Sequence, residues 1–227
     1  RRLPLRPGCI LRPGKAILRS FIKYSTPVVC NEALWSIGTS MLTVIMGHMS
    51  NSQDMLAAYA LVGNIDKLST VVCFGIAASA AVIVGKEIGM GRGRQHVYEV
   101  GWTLLLVSML IGAGVMALLL LLLPTFFRPV LFPLFKLTPG ATQVATYLAL
   151  VYAIAMPMRA FDITNITGVL RAGGDAKVAS LIDICPLWLV AIPLMALSGL
   201  VLDAPTWVVC IAMQAENLCK CPLGLIR

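Results

Sequence analysis

The chain has 227 residues, 59% of them hydrophobic and only 12% charged, with a mean hydropathy of +0.88. A soluble globular chain carries about 25% charged residues, so this one has too few to coat a water-facing surface, and its main solvent is expected to be lipid. The net charge of +8 does not point to nucleic acid, because no aromatic-interleaved basic surface accompanies it.

Seven of the eighteen Lys and Arg residues crowd the start: Arg1, Arg2, Arg6, Arg12, Lys15, Arg19 and Lys23. A basic stretch abutting an apolar helix is the usual cytoplasmic anchor on anionic lipid, so residues 1–20 are read as a basic cytoplasmic lead-in. The chain opens on Arg1 without a signal peptide and reads as a piece of a longer reading frame.

Six apolar spans are expected over residues 21–218. The first runs from about Phe21 to Met49 through Pro27, and the polar turn Gly47–Asp54 follows it. The second runs from about Met55 to Gly89. Its far half is rich in small residues (Gly75, Ala77, Ala78, Ser79, Ala80, Ala81), with Gly85 and Gly89 at the spacing that lets helix backbones approach closely in lipid. After a basic, glycine-rich loop, the third span covers about Val100 to Leu123 and is expected to stop at Pro124. A proline-broken amphipathic stretch, Thr125–Pro139, is expected to lie along the interface. The fourth span, about Ala141 to Leu170, is closed by Arg171-Ala-Gly-Gly-Asp175. The fifth is about Lys177 to Leu197, and the sixth begins near Pro205 and fades by Leu218, leaving 219–227 as a short cytoplasmic tail.

Charge sets the orientation. With the N-terminus inside, the inner segments hold fourteen basic residues and the outer segments two, Arg128 and Lys136. The positive-inside asymmetry therefore predicts that both ends of the chain are cytoplasmic.

An ionisable group inside a span costs roughly 2.5–3.5 kcal/mol, so each one requires a reason. Glu32 sits in an apolar surround, and Ser25, Glu32, Ser36, Thr39 and Thr43 share one helical face. This stripe could line a polar cavity with Glu32 as its charged member. The alternative is an acid that pairs with a neighbouring helix. Asp162 follows Pro157, which weakens the helix and frees carbonyls for a cation, and Asn165 lies one turn on. An Arg159–Asp162 pair within the helix is the bland alternative. Asp66 and Lys67 point in different directions, and Asp183 is placed to pair with the basic inner loops, so structural roles are expected for them. Burial disfavours a bare carboxylate, so such a group is readily neutralised by a proton or by Na⁺, and a cationic solute can compete for the same charge. That is the chemistry of antiport.

Catalytic motifs are absent. His48 and His96 are not in a metal-binding motif, and Gly89-Met-Gly-Arg-Gly93 lacks the Gly-Lys-Ser/Thr ending of a phosphate loop. There is no nucleophile elbow. Cys219-Lys-Cys221 is a lone pair, and the seven cysteines imply no disulfide framework. No enzyme is expected, and no cofactor beyond a coupling ion, Na⁺ or H⁺.

Several stretches together resemble the multidrug and toxic compound extrusion (MATE) family, in its C-terminal six-helix lobe. They are Tyr24-Ser-Thr-Pro27 leading to Asn31-Glu-Ala-Leu-Trp35-Ser, Ile45-Met-Gly47-His and Leu56-Ala-Ala-Tyr59. Gly75-Ile-Ala-Ala, Val84-Gly85 and Ile88-Gly89 come next. Last are Phe161-Asp162, Gly168-Val-Leu-Arg171-Ala-Gly-Gly-Asp175 and Trp188-Leu-Val-Ala-Ile-Pro193. The resemblance covers about Ile17 to Leu200. It implies an all-α membrane protein, a bundle of about six transmembrane helices forming one lobe of a twelve-helix transporter, with residues 1–20 as the inter-lobe linker. It also implies that Glu32 and Asp162 are the cation-coupling acids, holding Na⁺ if that is the ion.

Ser36, Thr39, Thr43, Arg159 and Asn165 are then candidate cavity-lining residues. The expected function is cation-coupled multidrug antiport of organic cations and amphiphiles across a bacterial plasma membrane. The expected partners are the bilayer, those substrates and the N-terminal lobe that this chain lacks, and not nucleic acid. Two alternatives stay open. One is a lipid-linked oligosaccharide flippase of the same superfamily, whose cavity should carry Arg and Lys, Arg159 being the only deep candidate. The other is an inactive truncated membrane remnant.

Overall fold

A computed structural model describes residues 14–225, so Arg1 to Arg12 of the basic lead-in and Arg227 of the tail lie outside the described residues. All regular structure among the described residues is helical. Six helices follow in order: α1 (Lys15–Gly47), α2 (Ser52–Gly89), α3 (Arg94–Leu134), α4 (Pro139–Leu170), α5 (Ala176–Val201) and α6 (Thr206–Leu225). The first five are long and apolar enough to cross a membrane. At 20 residues α6 is also long enough, but Glu216 and Lys220 in its second half make it less apolar.

Prolines shape the helices without ending them. Pro124, Pro129 and Pro133 all fall in the last third of α3. Instead of stopping there, the helix widens into a π-helical segment, Leu123–Leu131, and continues to Leu134. The expected end at Pro124 and the separate interfacial stretch are therefore replaced by one 41-residue helix. A proline deletes a backbone hydrogen bond and pushes on the preceding turn, and a wider turn absorbs both effects. Burial of Phe127 and Phe132 in the core holds the extension in place. Similar wide turns follow Pro157 in α4 (Thr164–Leu170) and Pro186 in α5 (Leu187–Ala191), and a further one carries α5 to Val201, past the expected end at Leu197. The last helix also outruns its expected end at Leu218 and includes most of the expected tail.

The central helix is α4, packed on α2, α3 and α6, while α1 leans on α5 and α2. The core is filled by Met46, Met55, Leu148, Met156, Leu187 and Met195, all fully buried. Where helices cross most tightly, glycine is required by space. A Cβ on Gly112 of α3 would lie 2.8 Å from Ala160 Cβ and 2.9 Å from Pro157 Cα of α4. A Cβ on Gly168 of α4 would lie 2.8 Å from the Ala77 carbonyl of α2. The small-residue face of α2 is thus used through Ala77 and Ala80, whereas Gly85 and Gly89 face open space.

The turns at the two ends are tied down separately. Asp54, in the first turn of α2, accepts from Thr138 Oγ1 at 2.5 Å, and Thr138 Oγ1 in turn accepts from Ala141 N at 3.0 Å, capping α4. Asn51 Nδ2 donates to Thr206 Oγ1 at 3.3 Å. At the opposite end the α4–α5 turn passes through Gly174 at φ +90°, a backbone that only glycine adopts freely. This turn aims Arg171 back toward the bundle.

Candidate functional site: a charged network between α1, α4, α5 and α6

Asp183 of α5 is the hub of the network. Lys220 Nζ donates to its Oδ1 at 2.9 Å, Asn31 Nδ2 donates to its Oδ2 at 3.0 Å, and an Arg171 guanidinium nitrogen stands 4.0 Å from Oδ2. The expected pairing of Asp183 with basic inner-loop residues is therefore realised, by Arg171 and Lys220. The same Arg171 donates to Glu32 Oε1 at 3.0 Å. On the other side, Lys220 reaches Glu216 Oε2 at 3.2 Å, one helical turn away on α6. Glu32, Arg171, Asp183, Lys220 and Glu216 thus form an alternating chain of charges across four structural elements.

Asp162 closes this chain on the α4 side. It is 4% exposed, and its charged neighbours are Lys220, Glu216 and Asp183. Asp162 Oδ2 is buried with no hydrogen-bond partner. One turn on, Asn165 donates from Nδ2 to the Gly224 carbonyl at 3.2 Å, tying α4 to the end of α6. Gly224 is needed for that approach, since a Cβ there would meet Asn165 Nδ2 at 2.5 Å.

Arg171, Asp183 and Lys220 form a continuous chain from Glu32, and Asp162 stands beside its far end without an ion pair to it. Among the described residues no three His, Cys, Asp or Glu side chains stand close enough to hold a metal ion. The carboxylates converge on Lys220 and Arg171 instead. By sequence both bases read only as inner-loop charges, yet both turn into the bundle, with side-chain exposures of 6% and 17%. Glu216 and Lys220 carry one sequence signal, an acid and a base four residues apart on an otherwise apolar helix.

The hydroxyl stripe behaves differently. The side chains of Ser36 and Thr43 are exposed on α1, and Thr39 is half-buried. Thr39 Oγ1 donates to the Ser36 carbonyl at 3.0 Å, and Thr43 Oγ1 to the Thr39 carbonyl at 3.4 Å. Apart from Ser25, which borders a shallow groove at the start of α1, the stripe lines no cavity among the described helices and forms the outer face of α1.

Arg159 does not pair with Asp162. It crosses from α4 to α2 and grips Asp66, Nη1 on Oδ1 and Nη2 on Oδ2 at 3.0 Å, with the Tyr152 ring 5.7 Å from its guanidinium carbon. A carboxylate on another helix can meet the guanidinium with both oxygens, a geometry the i, i+3 neighbour does not reach here. Arg159 is thereby removed from the set of free cavity cations. Two clefts lie elsewhere: a shallow groove along the start of α1 lined by Ala16, Ile17, Ser20, Phe21 and Ser25, and a small void beside Asp66 and Tyr152.

The model of the MatE family matches residues 27–197. An uncharacterized transporter, YisQ, of Bacillus subtilis (strain 168) is 25% identical over 186 residues, which is 82% of this chain and 39% of the relative. Among solved structures, the MATE transporter ClbM in complex with Rb⁺ superposes with a TM-score of 0.81 at 18% identity, over 96% of this chain and 48% of that one. The inward-facing conformation of a multidrug resistance MATE family transporter superposes with a TM-score of 0.77 at 15% identity, over 95% and 48%. At these identities the structures speak for the fold alone. The chain spans less than half the length of each of these relatives.

Proposed function

This chain belongs to the MatE family, and we propose that it is the C-terminal lobe of a cation-coupled antiporter that expels organic cations and amphiphilic compounds. Membership makes it a multi-pass membrane protein of a transporter family. The cargo, the coupling ion (Na⁺ or H⁺), the bacterial plasma membrane and the cytoplasmic placement of both termini belong to the proposal. The observation that carries the coupling role is Asp162, a buried carboxylate with an unpartnered oxygen, standing beside a charged network that runs from Lys220 through Asp183 and Arg171 to Glu32 on α1.

Two further observations support the reading. The network holds four carboxylates (Glu32, Asp162, Asp183, Glu216) against two bases (Arg171, Lys220), so it is short of positive charge while unprotonated. A site with that deficit favours a proton or a small cation, because an uncompensated carboxylate in apolar surroundings is costly. Secondly, the exposed face of α1 carries Glu32, Ser36 and Thr43, a polar strip suited to a cleft completed by a second lobe. The resemblance of a solved MATE transporter described in complex with Rb⁺ adds an alkali cation to the fold class. The flippase alternative loses its candidate, since Arg159 is committed to Asp66.

The test is ethidium efflux from a drug-sensitive bacterial strain, with the protein expressed from its natural reading frame. Wild type is compared with Glu32→Gln and Asp162→Asn at matched membrane abundance, with and without Na⁺. Loss of efflux in both variants supports carboxylate coupling, and dependence on Na⁺ names the ion. Undiminished efflux in both variants sinks the assignment.

A further inference from the structure

Lys220 stands apart from the other lysines of the chain. Lysines in membrane helices usually extend their stems to carry the ammonium to water, yet this residue is only 5% exposed. Its ammonium is held at 2.9 Å by Asp183 and 3.2 Å by Glu216, and the buried Asp162 stands nearby on α4. The three carboxylates come from three helices, α4, α5 and α6. Asp162 keeps one buried oxygen without a partner, so a single ammonium does not satisfy the set. Arg171 cannot make up the difference, being shared with Glu32 and no closer than 4.0 Å to Asp183.

We propose that Lys220, held by Asp183 and Glu216, is a tethered cation that competes with the coupling ion for the charge of Asp162, and so sets the affinity and preference of the site. The inference rests on the coupling role proposed for Asp162. A lysine suits the task because its charge is compact, carries three donors and swings on a flexible four-carbon stem, unlike the planar fork of arginine. With the ammonium in place the carboxylates are spread around it. When a small monovalent cation enters beside Asp162, the repulsion between two like charges in a low-dielectric site drives the ammonium outward. Lys220 is then a specificity-determining residue, since an ion binds only by as much as it outcompetes the tethered amine.

The test uses the full chain in lipid nanodiscs with Na⁺ and Rb⁺ chlorides as probes, against choline chloride at equal ionic strength. Acetylation by an amine-reactive reagent is read at each lysine by mass spectrometry, with exposed Lys86 as the internal reference. In wild type, Na⁺ is expected to raise labelling of Lys220 several-fold over Lys86, and Asp162→Asn to abolish the rise. In a second readout, Lys220→Met is expected to lower the Na⁺ concentration giving half-maximal thermal stabilisation by about tenfold. The labelling arm needs no substitution at Lys220, so a poorly folded Lys220→Met variant does not silence the test.

Labelling of Lys220 that is equal in all three salts overturns the inference. If Na⁺ stabilises wild type and Asp162→Asn removes the effect while Lys220 labelling stays constant, the coupling role of Asp162 survives and the role of Lys220 falls. Indifference to both alkali ions in both readouts also overturns the inference, while proton coupling is still decided by the efflux assay.

Discussion

Arg159 of α4 holds Asp66 of α2 through both guanidinium nitrogens, so the central helix is fastened to its neighbour by an ion pair in the middle of the bundle. Both side chains are mostly buried, at 18% and 15% exposure. Removing one partner leaves an uncompensated charge, and such losses cost about 3–5 kcal/mol. Asp66→Asn and Arg159→Met are each expected to lower the unfolding midpoint in detergent markedly, while the Asp66→Leu/Arg159→Met pair recovers much of the loss. Two silent single variants would show that the pair contributes nothing.

The helix crossings predict a contrast among glycines. Gly112→Ala and Gly168→Ala push a methyl into backbone or Cβ atoms of the facing helix and are expected to destabilise by about 1–3 kcal/mol. Gly85→Ala and Gly89→Ala meet open space within a helix and should be neutral or stabilising by up to about 1 kcal/mol. Thermal unfolding of the four variants separates the groups, and equal losses in all four would refute the packing account.

Glu32 and Asp183 differ in how much the fold depends on them. Glu32 is 58% exposed and has one ionic partner, so Glu32→Gln should leave stability within about 1 kcal/mol of wild type. Asp183 is the main acceptor of buried Lys220, and Asp183→Asn is expected to cost about 3 kcal/mol or more. Denaturant titration checks both. A stable Glu32→Gln protein is also what makes its efflux phenotype interpretable.

At the end of the bundle away from the charged network, Thr138 serves twice, capping α4 through Ala141 N and donating to Asp54. Thr138→Ala should cost about 0.5–2 kcal/mol, and Thr138→Ser should restore most of it. Faster hydrogen exchange at the start of α4 in the alanine variant alone would locate the effect there. Unchanged exchange would place the stabilisation elsewhere.

The membrane class, the six helices and most of their limits were legible in the order of residues, because apolar runs of this length bounded by charge form spanning helices in lipid. The sequence also singled out Glu32, Asp162 and Asp183, since an acid inside an apolar run is visible in the residue order itself. Partner choice was decided only by the tertiary structure. Arg159 had an acid three residues away and took Asp66 on another helix, because only a cross-helix approach offers both carboxylate oxygens to the guanidinium. Pro124 looked like an ending and became part of a wider turn, because the cost of a broken hydrogen bond was offset by burying Phe127 and Phe132. Lys220 looked like a tail residue and lies buried between Asp183 and Glu216. Its position depends on how α4, α5 and α6 converge, and no local pattern in the chain encodes that convergence.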